Sequence, residues 1–272
     1  MLFLVLSFRG IFLLKNQRSV LMPIQEKFSF SELSAVGSNP NSVREKFKER
    51  FGTLPDGIAV NSETYYDAVK PAITEQYGHP CYKTLGEFTY QVGNGKPPSE
   101  AILGSNYAVN HGDEEASISL SVQGNWTETK TWSSETTTGL TISSKFTLEG
   151  VFESGAEFSV STTVGESSST SVSRSASSTV TVTVPPRSKK KVSMVGTMKQ
   201  ETMNFQAPLS VQGSFGANFP RKVEDHYFWF LGADNVLNST TGTLTGKIKN
   251  TAVFNVQTEV GAAEPLDAKT PV

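Results

Sequence analysis

The stretch GLTISSKFTLEGVFESGAEFSVSTTVG, residues 139–165, alternates apolar and small polar side chains on both sides of a glycine-bearing turn. Leu140, Ile142, Phe146 and Leu148 share one face of the first limb, and Phe158, Val160 and Val164 share one face of the second. Thr141, Ser143, Lys145 and Thr147, then Ser159, Ser161 and Thr163, occupy the opposite face. A period of two is the signature of a β-strand, and two such limbs around a turn predict a hairpin. Its apolar face must meet either a protein core or lipid.

Similar alternation continues on both flanks. Between Ser117 and Val184 nearly half of the residues are Ser or Thr. Yet Ile118, Leu120, Val122, Trp126 and Trp132 all fall on even positions, as do Val172, Ala176, Val180, Val182 and Val184. A disordered hydroxyl-rich tract would lack this register of β-branched residues, so long hydroxyl-faced strands are expected. Pro185 and Pro186 end that ladder, because proline has no N–H to donate. Further strands are predicted through HYFWFLG and GTLTGKIKNTAVFNVQTEVG.

The region before residue 113 is mixed. Ser42 and Glu45 have capping-box spacing, Phe47 and Phe51 lie four apart, and Gly52 suits a left-handed C-cap, so a short helix is predicted there. Residues 62–78 read as a second helical piece broken at Pro71. The fold class expected is mainly β, elongated, with long twisted antiparallel strands and a small mixed α/β N-terminal region. Four segments follow: a leader or trimmed segment over 1–22, a mixed region over 23–112, an elongated β region over 113–260, and a flexible tail over 261–272.

Composition excludes several functions. A net charge of −2 offers no basic face for nucleic acid. His79, His111 and His226 are far apart and fit no metal-ligand spacing, no GxSxG elbow occurs, and Tyr90 stands where a phosphate loop would need its first glycine. No catalytic residue, metal site or cofactor is therefore expected. Cys81 is the only cysteine, which rules out an intrachain disulfide and points to a buried apolar role. The basic run at 185–191 reads as a solvated strand entry, with attraction to anionic headgroups as a secondary role.

The opening MLFLVLSFRGIFLLKNQRSVLM is too short an apolar run for a transmembrane helix and is broken by Arg9. Any membrane role must come from β structure. A transmembrane strand needs about 9–11 residues, and each hairpin limb, slightly extended, has that reach. Its apolar face carries no charge, and only Ser144 and Thr162 interrupt it. A single hairpin cannot insert alone, since its edge N–H and C=O groups would lack partners in hydrocarbon. Several copies closing into a barrel solve that problem, whereas an ordinary sandwich would bury the same face on a core. The scarcity of charge on the wet face favours the barrel. On that reading Phe146→Asp should spare the soluble fold and block insertion.

The run from Thr127 to Val192 resembles the central region of aerolysin-type β-pore-forming toxins, in the epsilon-toxin and mosquitocidal-toxin branch. The shared pattern is a Ser/Thr-rich strand, an amphipathic hairpin with a glycine-bearing tip, another such strand, and a break at Val184, Pro185 and Pro186 leading to a basic strand. The resemblance covers roughly residues 115–215. It implies a secreted, non-enzymatic, insecticidal or cytolytic toxin that binds a target-cell membrane through a protein or glycan receptor. Such a toxin is trimmed by a protease, forms a homo-oligomer and unrolls its hairpin into a transmembrane β-barrel. Leu140, Ile142, Phe146, Leu148, Phe158, Val160 and Val164 would then face lipid, with Val151 and Phe152 leading the tip. Lys145, Glu149 and Glu157 would line the lumen. The resemblance points loosely to Tyr65, Tyr66 and Tyr77 for receptor contact; it implies a C-terminal propeptide corresponding to part of 261–272, and trimming within residues 1–27, at Arg9, Lys15 or Arg18, is an equal candidate. The alternative is a carbohydrate-binding or defence module that keeps the fold and never inserts.

Overall fold

The protein is described from a computed structural model, which covers residues 24–137 and 139–266. The expected leader, its three trimming sites, and residues 267–272 of the expected tail lie outside that range.

In chain order the strands and helices are β1 (Ile24–Lys27), a 3-10 helix (Phe30–Val36), α1 (Pro40–Phe51), β2 (Gly57–Val60), β3 (Glu63–Tyr66), α2 (Ile73–Gln76), β4 (Cys81–Leu85), β5 (Thr89–Asn110), β6 (Ala116–Thr136), β7 (Phe146–Val151), β8 (Glu157–Thr162), β9 (Ser167–Val184), β10 (Ser188–Val223), β11 (His226–Gly232), α3 (Ala233–Val236) and β12 (Thr241–Pro265). The fold is mainly β, as the alternation predicts.

β10 is the spine. Its 36 residues amount to roughly 120 Å of strand contour at about 3.3 Å per residue. It is flanked in turn by β5 and β12, then by β4 and β12, then by β2 and β11, all antiparallel. At Gly213 the backbone takes φ +120°, and a side chain there would strike the Pro80 carbonyl, so glycine alone permits this bend between the two pairings. β12 continues to β6, and β6 pairs with β9 over 18 residue pairs from Ala116–Val184 to Ser133–Ser167.

Three cores result among the described residues. At one end the apolar faces of β6 and β9 close over β5 and β10, burying Ala108, Val122, Val182, Val184, Val192 and Met194. Val122, Val182 and Val184 are even positions of the hydroxyl-rich strands, and the Ser and Thr residues beside them face water. The largest core, around Phe28, Phe47, Phe215 and Leu209, takes in the 3-10 helix, α1, α3 and the 139–165 segment, and a small third one gathers Ala59, Ala72 and Ile73.

Three local expectations are corrected. Helix α1 begins a turn earlier than the Ser42–Glu45 spacing suggests. Asn39 is its N-cap, its side chain accepting from Ser42 N, and Pro40 sits at the first helical position where a missing N–H costs nothing. Gly52 does take the left-handed C-cap, at φ 70°. Residues 62–78 are not one broken helix. Glu63–Tyr66 forms β3, turned back on β2 through Asn61 at φ 49°, and only Ile73–Gln76 is helical. The Thr-Tyr-Tyr run has the β propensity that the helical reading overlooked. Residues 261–265 of the expected tail are strand, with Ala263, Glu264 and Pro265 opposite Lys190, Lys189 and Ser188. Backbone pairing to an open edge needs no side-chain periodicity.

β5 also alters the expected segmentation. It pairs with β10 from Asn110–Ser188 down to Thr89–Gln206, so residues 89–110 run along the elongated sheet. The basic run forms the entry to β10, with Arg187 bonded to Asp113 at 2.7 Å and Lys189 3.7 Å from Glu264.

Candidate functional site

The 139–165 segment is a hairpin that lies on the body without joining its sheet. β7 and β8 pair only with each other, from Phe146–Thr162 to Val151–Glu157. Six pairs are fewer than the alternation suggests, because residues 140–145 lie outside the ladder, with a bend at Ser144. Their side chains keep the parity all the same. Leu140, Ile142, Phe146, Leu148, Phe158 and Val160 are each 5% exposed or less, Thr162 is fully buried, and Val164 packs partly buried against the same core. Ser144, the other polar interruption, is exposed. Lys145, Glu149 and Glu157 face water.

The turn divides the two residues assigned to the tip. Phe152 N donates to the Ala156 carbonyl and Gly155 N to the Phe152 carbonyl, which folds Phe152 inward to 3% exposure. Val151 stays 52% exposed. Phe152 meets Phe158 at 5.1 Å between ring centroids, and Phe158 meets Tyr90 at 5.9 Å. Phe146 stacks on Phe88 at 5.3 Å. The expectation that Phe146→Asp would spare the soluble fold is therefore corrected. A carboxylate there would be buried among rings without a partner, and such burial is costly.

The surface beneath the hairpin consists of odd-numbered positions of β10 and even-numbered positions of β12 and β6. Met203 pairs with Ile248 and Ala207 with Leu244, and Ile248 pairs with Trp132. Phe205 lies on the same face of β10. Hairpin and sheet thus share one dry apolar layer.

Polar groups fasten the edges of that layer. At the root, Glu26 of β1 accepts from Ser144 N at 2.5 Å. Lys83 of β4, only 6% exposed, donates to Glu26 at 3.1 Å, to Glu32 at 2.6 Å and to the Thr141 carbonyl at 2.7 Å. Burial alone would raise the Glu26 carboxyl, but hydrogen bonds from Ser143 and Ser144, joined by Lys83, hold it down at about 2. At the tip, Glu201 of β10 accepts from Ser154 N at 2.9 Å, from the Ser154 hydroxyl, and from Lys199 at 2.9 Å. These bonds hold its carboxyl below the usual range against the opposing effect of burial. Lys130 donates to the Glu157 carbonyl at 2.8 Å. None of these partners was visible in the sequence, because each lies 27 or more residues from what it holds.

The three tyrosines fall in two places. Tyr65 and Tyr66 are each 44% exposed and form an edge-on pair at 4.9 Å, with the Arg44 guanidinium 4.6 Å above the Tyr66 ring. Tyr77, 56% exposed, lies 6.0 Å from both Phe228 and Phe230, and His79 stacks on Phe230 at 3.9 Å. Phe228 and Phe230, contributed by β11, had no signal in the N-terminal reading. Cys81 is fully buried, and burial followed by the Glu32 charge pushes its thiol up to about 12. Among the described residues no group of three His, Cys, Asp or Glu is placed to hold a metal, and no helix is long and apolar enough to cross a membrane.

No protein-family model matches the sequence. Among solved structures, the Bacillus thuringiensis toxin parasporin-2, described as recognising cancer cells, is 43% identical over 90% of this chain and all of its own, with a TM-score of 0.85. A non-toxic crystal protein from the same organism is 13% identical, covering 73% of this chain and 94% of its own, at a TM-score of 0.44. The β-pore-forming protein Mpp75Aa1.1 of Brevibacillus laterosporus is 14% identical over 86% of this chain and 94% of its own, at 0.36. Identity of that extent to parasporin-2, along the whole of its chain, means that this protein belongs to the aerolysin-like β-pore-forming toxins.

Proposed function

We propose that the protein is a secreted toxin that binds a target-cell surface, is trimmed by a protease and oligomerises. It then inserts residues 139–165 of each subunit to build a transmembrane β-barrel. One observation carries this reading. The hairpin is a self-paired unit whose buried face is apolar and whose exposed face is hydroxyl-rich, and it rests on the body through side chains.

The energetics suit an exchange of environments. Leu140, Ile142, Phe146, Leu148, Phe152, Phe158 and Val160 are each worth about 1.5–3 kcal/mol in burial. Lipid tails return that amount, so moving this face from core to hydrocarbon is close to neutral. The open edges of β7 and β8 are not satisfied by lipid, so neighbouring subunits must supply the missing hydrogen bonds. Insertion would convert residues 140–145 and 163–165 into strand, giving each limb the length a bilayer requires. In that barrel Leu140, Ile142, Phe146, Leu148, Phe158, Val160 and Val164 face lipid, Lys145, Glu149 and Glu157 line water, and Val151 and Phe152 cross first.

Tyr65, Tyr66 and Tyr77 are the proposed receptor contacts, supported by their exposure and by the aromatic neighbours that stiffen them. Parasporin-2 recognises cancer cells by its description, and cultured mammalian cells therefore join insect cells as targets worth testing. Within the family, the epsilon-toxin and mosquitocidal branch is our proposal, supported by the Val184-Pro185-Pro186 break.

The test is dye release from liposomes and from both cell types, before and after limited trypsin, with Val151→Asp alongside. Val151 is exposed, so the variant should keep the melting temperature of the parent while losing release. Undiminished release by Val151→Asp, or a trimmed, folded parent that never releases dye nor forms rings, would overturn the proposal.

A further inference from the structure

The root of the hairpin is tied to a short strand at the edge of the sheet. Among the described residues β1 is a four-residue edge strand paired only with β4, from Ile24–Leu85 to Lys27–Tyr82. Edge strands this short add little stability of their own. Yet Glu26, at its centre, belongs to a closed ring of four groups. Ser144 N–H of the hairpin donates to Glu26, Lys83 of β4 donates to Glu26, and the same ammonium donates to the Thr141 carbonyl, three residues before Ser144. Glu32 takes the remaining Lys83 proton, so all three donors of that nearly buried ammonium are used.

The fastening at the tip differs. Glu201 projects from the middle of β10, paired with Asn250 of β12 in the longest ladder of the molecule. It cannot move without dismantling the body. Of the two carboxylates that grip the hairpin, Glu26 stands on the short edge strand and Glu201 on the spine. Phe28, buried one residue after β1 and donating to the Cys81 carbonyl, gives the natural hinge.

We propose that β1 is the catch of the insertion hairpin: the hairpin root leaves the body only after β1 has peeled from β4 and withdrawn Glu26 from Ser144 and Lys83. The proposal rests on the pore-forming reading for its consequence, though its first step takes place in the soluble protein. Peeling removes an acceptor from Ser144 N–H and one of the two carboxylates that neutralise Lys83. The remaining bond to Thr141 then meets water, where an ammonium–carbonyl contact is worth little. Cleavage after the exposed Lys27 would detach β1, so trimming at that point triggers the same release.

The experiment has a soluble arm and a membrane arm. Hydrogen exchange of the full chain in solution should show residues 141–148 exchanging about tenfold faster in Glu26→Ala than in the parent, with Glu26→Gln between the two. The β6–β9 ladder should be unaffected, which separates unlatching from general unfolding. In the membrane arm β1 is stapled to β4 by Gln25→Cys with Thr84→Cys, a register pair whose side chains already meet at 3.3 Å. Cys81 is buried and does not compete for the bridge. The oxidised staple should abolish dye release, and a reductant should restore it. Equal exchange in parent and Glu26→Ala overturns the catch, and so does release by the oxidised staple at the parental rate. A parent that releases no dye overturns the pore reading instead, and the exchange arm still decides the catch.

Discussion

Phe158 lies over the bare backbone of Gly150, its partner across the hairpin. A β-carbon on Gly150 would come 2.6 Å from the end of the Phe158 ring. The ring is held in turn by Phe152 and Tyr90, so it has little freedom to give way. Gly150→Val should therefore lift the hairpin from the body and cost about 1–3 kcal/mol, the usual penalty for overpacking. Thermal unfolding of the soluble protein would show the loss. An unchanged melting temperature would mean that the hairpin contributes nothing to the stability of the soluble form.

How much of this could be read in advance depends on the range of the interaction. The parity of Leu140, Ile142, Phe146 and Leu148 is a local property, and it correctly assigned the buried face even where the ladder is absent. The long strands were legible for the same reason: Val180, Val182 and Val184 alternate with threonines that face water. Phe152 was not legible as buried, because the turn that folds it inward depends on backbone bonds to Ala156 and Gly155. The fastenings at Glu26 and Glu201 were invisible. A glutamate in IQEK and another in KQETMN carry no signal until the fold brings Ser144 and Ser154 to them. The C-terminal strand pairing escaped for the converse reason, since residues 261–265 show no alternation and pair with β10 through backbone ladder bonds.

Acid should loosen the hairpin root. The Glu26 carboxyl is held at about 2 in the folded protein, below its ordinary value of 4.5, so its protonation favours states in which Ser144 and Lys83 have let go. Its contribution is complete above about 4.5 and is lost as pH falls through about 2. The Lys83 ammonium faces Glu26, and Glu32 shares that ammonium. Hydrogen exchange at residues 141–148 should therefore rise between pH 4.5 and 2 in the parent. Glu26→Gln, which cannot titrate, should show a flatter profile. Identical profiles would place the acid sensitivity elsewhere.

The exposed tyrosines can be separated from the fold by substitution. Tyr77→Ala and Tyr66→Ala remove rings that are about half exposed, so soluble stability should shift by no more than about 1 kcal/mol. If these rings are receptor anchors, cell binding should fall by about tenfold or more, since aromatic anchors dominate interface energetics. Release from receptor-free liposomes should be unchanged. Parallel losses on cells and liposomes would assign the tyrosines to assembly instead of recognition.

Asn61 and Cys81 form the joint on which β1 and β4 depend. The Asn61 amide donates to the Phe28 carbonyl at 2.7 Å and to the Cys81 carbonyl at 2.8 Å, while its oxygen accepts from Cys81 N at 2.9 Å. Its φ of 49° suits asparagine better than most residues. Asn61→Ala removes the side-chain partner of three buried backbone groups and strains the turn. Stability should fall by about 2–4 kcal/mol, because an orphaned buried group costs about 1–3 kcal/mol and, of the three, the Cys81 carbonyl keeps the Phe28 N–H as a partner. The thiol reports the same event without calorimetry. In the parent, Cys81 is fully buried with its acidity suppressed, and a disulfide reagent at pH 8 should modify it only as fast as the whole domain opens. In Asn61→Ala the start of β4 should open locally, and modification should outpace global unfolding measured on the same sample. Equal rates would show that β4 opens only with the rest of the sheet, and is a firm edge from which β1 alone can peel.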